Sequence, residues 1–188
     1  MALTSIAAYR LQGKTIDDVD IDPNANIESS KLATRTLNLI IPAVAGVKEG
    51  ASVANTFDGV FGGVLLPNAN SGAIYFSFPK PVEYDSGNVV LRVLWSSAGT
   101  TGDLKLTSDI RSATIDSAIT SGATDTGTKT TDGTGDDLND LTITIAAADF
   151  NANEFIGLKL SRDPADGSDT LSSDVRIHAL IFEYTGRG

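Results

Sequence analysis

Cysteine is absent from this chain, and there is one histidine, one tryptophan and one methionine. Without cysteine there can be no disulfide, no thiolate metal site and no thiol nucleophile, and the redox compartment is left open. With a single histidine, any Ser-His-Asp arrangement would have to use His178. Basic residues are scarce too. Fourteen Lys and Arg stand against 24 Asp and Glu, a formal net charge of -10. Such a surface repels phosphate backbones, so nucleic acid is not an expected partner. Long apolar runs are also missing. The most apolar stretch, "LNLIIPAVAGV", is short and holds Asn38 and Pro42, so a membrane-spanning helix is not expected. "MALTSIAAYRLQGK" lacks the basic start and apolar core of a signal peptide. The chain therefore reads as soluble.

Reaction motifs are equally scarce. There is no G-x-S-x-G elbow, no Walker loop and no H-E-x-x-H helix. Gly62-Gly63 is followed by no lysine and no helix start, so it is a bulge or bend and not a phosphate loop. Paired carboxylates for glycoside cleavage are recognised by their separation in space, which a sequence does not supply. No catalytic residue, no cofactor and no metal ligand is assigned, and the chain is read as non-enzymatic.

What is present is a globular composition, 41% hydrophobic over 188 residues, enough for one substantial core. Residues 1–33 form a polar, acidic segment read as an extended N-terminal arm. Its spaced aliphatics Ile16, Val19, Ile21, Ile27 and Leu32 cannot build a core alone and are the candidate docking residues. From Thr34 to the end the pattern is strand-like, with turn signals between runs. "GAIYFSFPKP" places Ile74, Phe76 and Phe78 on one face, and "LTITIAA" does the same for Leu141, Ile143 and Ile145. Roughly eight strands are expected, without alternating amphipathic helices. The fold class is all-β: an antiparallel β-sandwich of jelly-roll type over residues 34–188. "RSATIDSAIT" and "AAADFNANEF" leave room for a turn or two of helix. "SAITSGATDTGTKTTDGTGDDLND" is rich in Thr, Gly and Asp and reads as an exposed, mobile loop with room for a short hairpin.

Two acidic clusters invite a metal. Asp163, Asp166, Asp169 and Asp174 crowd "RDPADGSDTLSSD", and Asp132, Asp136, Asp137 and Asp140 lie in "TDGTGDDLND". Calcium is the cation such oxygen donors suit. The spacing is not that of an EF-hand, and Asp, Gly, Ser and Pro are ordinary turn residues, so a solvated hairpin tip is preferred. His178, between Ile177 and Ala179, reads as a structural or interface residue. Trp95, Tyr75, Tyr84 and Tyr184 are the aromatics available to stack on a sugar, with Trp95 expected in the core.

Two strands look apolar on both faces. In "DVRIHALIFEY", strict alternation puts Val175, Ile177, Ala179 and Ile181 on one side and Leu180, Phe182 and Tyr184 on the other. "NVVLRVLW" behaves likewise. Antiparallel sandwiches usually wet one face of each sheet. A second subunit, the arm or the long loop is therefore expected over the outer face, with Leu180, Phe182 and Tyr184 as an oligomer interface.

"NANIESSKLA" resembles the I-x-x-S-K-L segment near the start of tailed-bacteriophage fibre and appendage proteins. "IYFSFPKPVEYDSGNVVLRVLWSS", "GDLKL" and "FIGLKLSRDPADGSDTLSSDVRIHALIFEYTG" resemble the body of small phage virion proteins of jelly-roll type. The resemblance covers most of residues 27–186. It implies a virion structural protein, a head decoration, fibre or tail appendage, assembled as a homotrimer and docked on capsid or tail proteins. The alternative is a carbohydrate-binding module or adhesin for a host glycan on the same sandwich.

Overall fold

The computed structural model describes residues 34–114, 116, 123–151 and 155–187. The arm expected over residues 1–33, with Ile16, Val19, Ile21, Ile27 and Leu32, lies outside the described residues.

Eleven strands are described: β1 (Thr34–Pro42), β2 (Val47–Glu49), β3 (Ala54–Asp58), β4 (Phe61–Leu66), β5 (Gly72–Pro79), β6 (Tyr84–Ser97), β7 (Asp103–Ala113), β8 (Thr124–Thr130), β9 (Asn139–Ile145), β10 (Phe155–Arg162) and β11 (Val175–Arg187). One short helix, α1 (Ala147–Asn151), precedes β10. The first sheet runs β3-β4-β11-β6-β9, with β1 also paired to β11, and the second runs β2-β5-β10-β7-β8. Every pairing is antiparallel. The fold is an antiparallel β-sandwich of jelly-roll type.

Alternation explains how the sheets meet. Leu91, Val93 and Trp95 of β6 and Leu141 and Ile143 of β9 face Ile74 and Phe76 of β5, Leu104 and Leu106 of β7, and Leu158 and Leu160 of β10 across one core. Each fully buried aliphatic or aromatic side chain of this kind stabilises the fold by about 1.5–3 kcal/mol relative to exposure.

The two-sided reading of β11 is corrected by a bulge. Its register against β6 shifts between Ile177 and Ala179. A bulge inserts one extra residue and reverses which parity faces inward. Val175 and Ile177 point into the core before it, and Leu180, Phe182 and Tyr184 point into the same core after it. Phe182 packs against Phe78 at 5.0 Å and Phe150 at 6.2 Å between ring centroids. These three residues fill the interior of one subunit and present no surface for an oligomer contact.

The Thr/Gly/Asp stretch is corrected in part. Thr124 to Thr130 form β8, paired with Asp109 to Asp103 of β7. Threonine suits a strand, and Gly127 lets β8 pass close to the neighbouring sheet. A Cβ there would meet Leu141 Cδ2 and the Thr142 carbonyl oxygen, each at 2.6 Å. The split of "NTFDGVFGGVLLP" into β3 and β4, and the short β2, account for the remaining strands beyond eight.

Candidate functional site

β10 is the central strand of the second sheet, with β5 on one side and β7 on the other. Its odd-numbered residues face outward, away from the core. The register sets three outward rows across these strands: Tyr75–Lys159–Asp109, Ser77–Gly157–Arg111 and Pro79–Phe155–Ala113. The middle row has no side chain at its centre. A Cβ on Gly157 would meet only the Arg111 carbonyl oxygen at 3.8 Å and Arg111 Cβ at 4.0 Å. The result is an open depression of about 400 Å³ lined by Tyr75, Ser77, Asp109, Arg111, Gly157 and Lys159. Phe155, 47% exposed, stands at one end. At the other end the surface continues past Lys159 to a second hollow at Glu49, Ser71, Ser161 and Asp163.

The polar groups around the depression hold one another in place. The Tyr75 hydroxyl donates to Glu49. Lys159 Nζ lies 3.8 Å from the Glu49 carboxylate and 5.4 Å from the centroid of the Tyr75 ring. Hydrogen bonding with Tyr75 is the main reason the Lys159 ammonium is held above its ordinary pKa, with the charges of Glu49 and Asp109 adding to it. Arg111 Nη2 donates to Asp109 Oδ2 at 3.1 Å. Arg111 Nε lies 3.0 Å from Asp109 Oδ1, yet is not aligned to donate, and Oδ1 is buried without a hydrogen-bond partner.

The aspartate turn is a structural device. Asp169 is buried and takes a bidentate pair from Arg162, with Nε to Oδ2 and Nη2 to Oδ1 both at 2.9 Å. Arg162 also donates to the carbonyls of Leu171 and Ser173. Asp166 accepts from Lys105 Nζ at 2.7 Å and from the Ser168 amide. Asp163 accepts from Ser71 Oγ and the Ala165 amide, and Asp174 from the Asn68 amide. In the second cluster, Asp136 pairs with Arg176, Asp140 with Arg92, and Asp132 accepts from the Thr134 amide. Among the described residues no group of three or more His, Asp or Glu side chains could hold a metal ion.

His178 sits at the β11 bulge, on the outer face of the first sheet. Its Nδ1 donates to the Gly62 carbonyl at 3.3 Å, and its Nε2 lies 2.9 Å from Ser96 Oγ. Phe61 packs edge-on at 6.1 Å. Ser96 is 2% exposed, so no substrate carbonyl can approach its hydroxyl, and the imidazole Nδ1 faces the Gly62 backbone carbonyl where a triad would have a carboxylate. The pair ties β11 to β4 and β6. Of the four aromatics raised from the sequence, Trp95, Tyr84 and Tyr184 are buried. Only Tyr75 reaches the groove. Gly157, Arg111, Asp109, Lys159 and Phe155 carry no joint sequence signal, because two separate strands, β7 and β10, bring them together. The single trace is a glycine interrupting the alternation of "FIGLKL", the mark of a site where something approaches the backbone closely.

No family model matches the chain, and no curated protein matches it. Among solved structures, the chain is similar to a family 35 carbohydrate binding module from Clostridium thermocellum. The two are 12% identical, with a TM-score of 0.50, over 78% of this chain and 97% of that one. It is also similar to the CBM36-1 domain of a multidomain xylanase from the hindgut metagenome of Trinervitermes trinervoides, at 16% identity, TM-score 0.49, and 78% and 96% of the two chains. A CBM36 module in complex with calcium and xylotriose matches at 17% identity, TM-score 0.49, over 77% and 98%. At this identity the first likeness supports the fold alone, and nothing is rested on the other two. The first likeness corrects the virion reading. The quoted phage-like segments are strand and turn patterns that any sandwich of this kind shares, and the structures resembled are carbohydrate-binding modules. The virion role, the capsid and tail partners and the virion location are withdrawn. The chain shares the antiparallel β-sandwich fold of the family 35 module it resembles.

Proposed function

We propose that this chain is a non-catalytic carbohydrate-binding module, with its site in the groove over Gly157 on the outer face of the second sheet. The observation that carries the reading is the missing side chain in the Ser77–Gly157–Arg111 row. A sugar ring has an apolar face of C–H groups and a rim of hydroxyls. Here Phe155 offers an exposed apolar ring, while Asp109, Arg111, Ser77 and Lys159 offer acceptors and donors around an empty centre. The groove is open, with more apolar than polar lining, suited to holding a sugar chain and not to enclosing a reacting bond.

Gly157→Val tests this. The Cβ has room in the folded chain, and valine favours a strand over glycine by up to about 1 kcal/mol. The variant should therefore keep or gain stability while filling the groove. In affinity electrophoresis through gels containing soluble polysaccharides, the wild type should be retarded by at least one of them. Gly157→Val should lose roughly tenfold in affinity. A wild type that no polysaccharide retards, or a variant retarded equally, overturns the reading.

A further inference from the structure

We infer that β1 is a seam between two copies of this chain, which pair their β1 strands antiparallel about a two-fold axis at Asn38 and so join their first sheets. Among the described residues β1 is hydrogen-bonded on one side only, to β11. The other side of such a strand presents a row of backbone N–H and C=O groups, a template for a further strand. Sheets guard their edges with short length, charge or proline. The other edge strands follow that rule. β2, β3, β8 and β9 have three, five, seven and seven residues, and they carry Glu49, Asp58, Asp125 and Asp140. β1 is longer, at nine residues, and holds no carboxylate in a chain of net charge -10. Arg35 and Pro42 stand near its ends, and residues 36–41 between them include neither charge nor proline.

Charge selects a second copy as the occupant. A two-fold contact sets a patch against itself. Between two chains of net charge -10, an acid-free strand is the edge that does not bring carboxylates face to face. Centred on Asn38, the pairing sets Arg35 opposite Ile41, Thr36 opposite Ile40 and Leu37 opposite Leu39, with no like charges opposed. Inward residues meet inward ones, because the parity of the strand is kept. Leu37, Leu39 and Ile41 pack against the core yet are only partly buried, and Ile40 on the opposite face is 62% exposed. Pairing therefore adds apolar cover on both faces of β1. The groove over Gly157 lies on the second sheet and stays open in each copy.

Sedimentation velocity of the full chain at micromolar concentration tests this first. The wild type should sediment at twice the monomer mass of 19.6 kDa, and a monomer overturns the inference. The seam is located by Asn38→Cys. The chain has no cysteine, so the introduced thiol can pair only with its twin. Across the axis the two Cβ atoms would lie about 5 Å apart, close to the roughly 4 Å of a disulfide. Mild oxidation should yield a covalent dimer from Asn38→Cys and not from Val82→Cys, at a position 92% exposed. Equal yields overturn the seam. Asn38→Lys/Ile40→Lys should weaken dimerisation at least about tenfold by opposing ammonium groups along the pair. Val60→Lys/Val82→Lys, the same charge change at exposed positions off β1, should leave it intact. Melting curves check folding, and Ile40→Lys alone serves if the double variant unfolds. An undiminished dimer in the β1 variant, or an equal loss in the control, overturns the inference.

Discussion

The two outer faces of the sandwich each carry an arginine beside carboxylates, and they differ in what stands next to it. On the first sheet, Arg92 lies between Ile181 and Thr142 in one unbroken row, with Ile40 beyond Ile181. It donates to Asp140 and Glu183, and its row carries a side chain at every position. On the second sheet, Arg111 pairs with Asp109 and stands beside Gly157, where no side chain fills the row. Charged residues alone would have nominated either face. The gap beside the charge is what separates a recognition surface from a salt-bridged wall.

The largest effect should fall on both faces at once. Asp169→Ala would leave the Arg162 guanidinium buried without its carboxylate at the end of β10. The loss should be about 3–5 kcal/mol in urea unfolding. A change below about 1 kcal/mol would show that the turn carbonyls alone suffice to hold Arg162.

Exchanging the arginines sharpens the contrast. Arg111→Ala should weaken glycan binding by about 1.4 kcal/mol, a tenfold change, with stability altered by less than about 0.5 kcal/mol. Arg92→Ala should do the reverse, costing about 0.5–1 kcal/mol of stability because its pairs are partly exposed. Its glycan affinity should not move. Titration and denaturation of both variants would expose any crossover of these effects.

The smallest effect concerns the edge of the second sheet. Asp125 on β8 has a buried Oδ2 without a partner, and burial, with a smaller part from Asp149, raises its carboxyl pKa. A folded value above the unfolded one means that ionised Asp125 works against folding. Stability from this group therefore rises as pH falls through the folded pKa towards the unfolded value near ~3.9. Asp125→Asn should raise stability at pH 7 by at most about 1 kcal/mol and give no gain once the pH is below both values. Melting curves at both ends of that range would show it, and a loss at neutral pH would contradict the sign.

Much of the sandwich is legible in the residues. "GAIYFSFP" and "LTITI" alternate, and Ile74, Phe76, Phe78, Leu141, Ile143 and Ile145 are buried as the period of two requires. The bulge at His178 is not legible, because one extra residue leaves no mark on composition while it reverses the face of everything after it. That reversal turned an apparent oligomer interface at Leu180, Phe182 and Tyr184 into core. β8 was obscured by its threonines and glycine, which serve a strand and a loop alike. The groove is the least legible part. Tyr75, Asp109, Arg111 and Gly157 meet only through the register of three strands, and register is a property of the folded sheet.

The claim that recognition belongs to the face with the gap is tested most directly by mapping. Backbone amide spectra of the labelled chain, recorded while a neutral oligosaccharide that the chain binds is titrated in, report each strand separately. Shifts should concentrate at Tyr75–Ser77, Asp109–Arg111 and Phe155–Lys159, with Ile40, Arg92 and Ile181 unmoved. Shifts centred on β6 and β11 of the first sheet, with Gly157 silent, would contradict it.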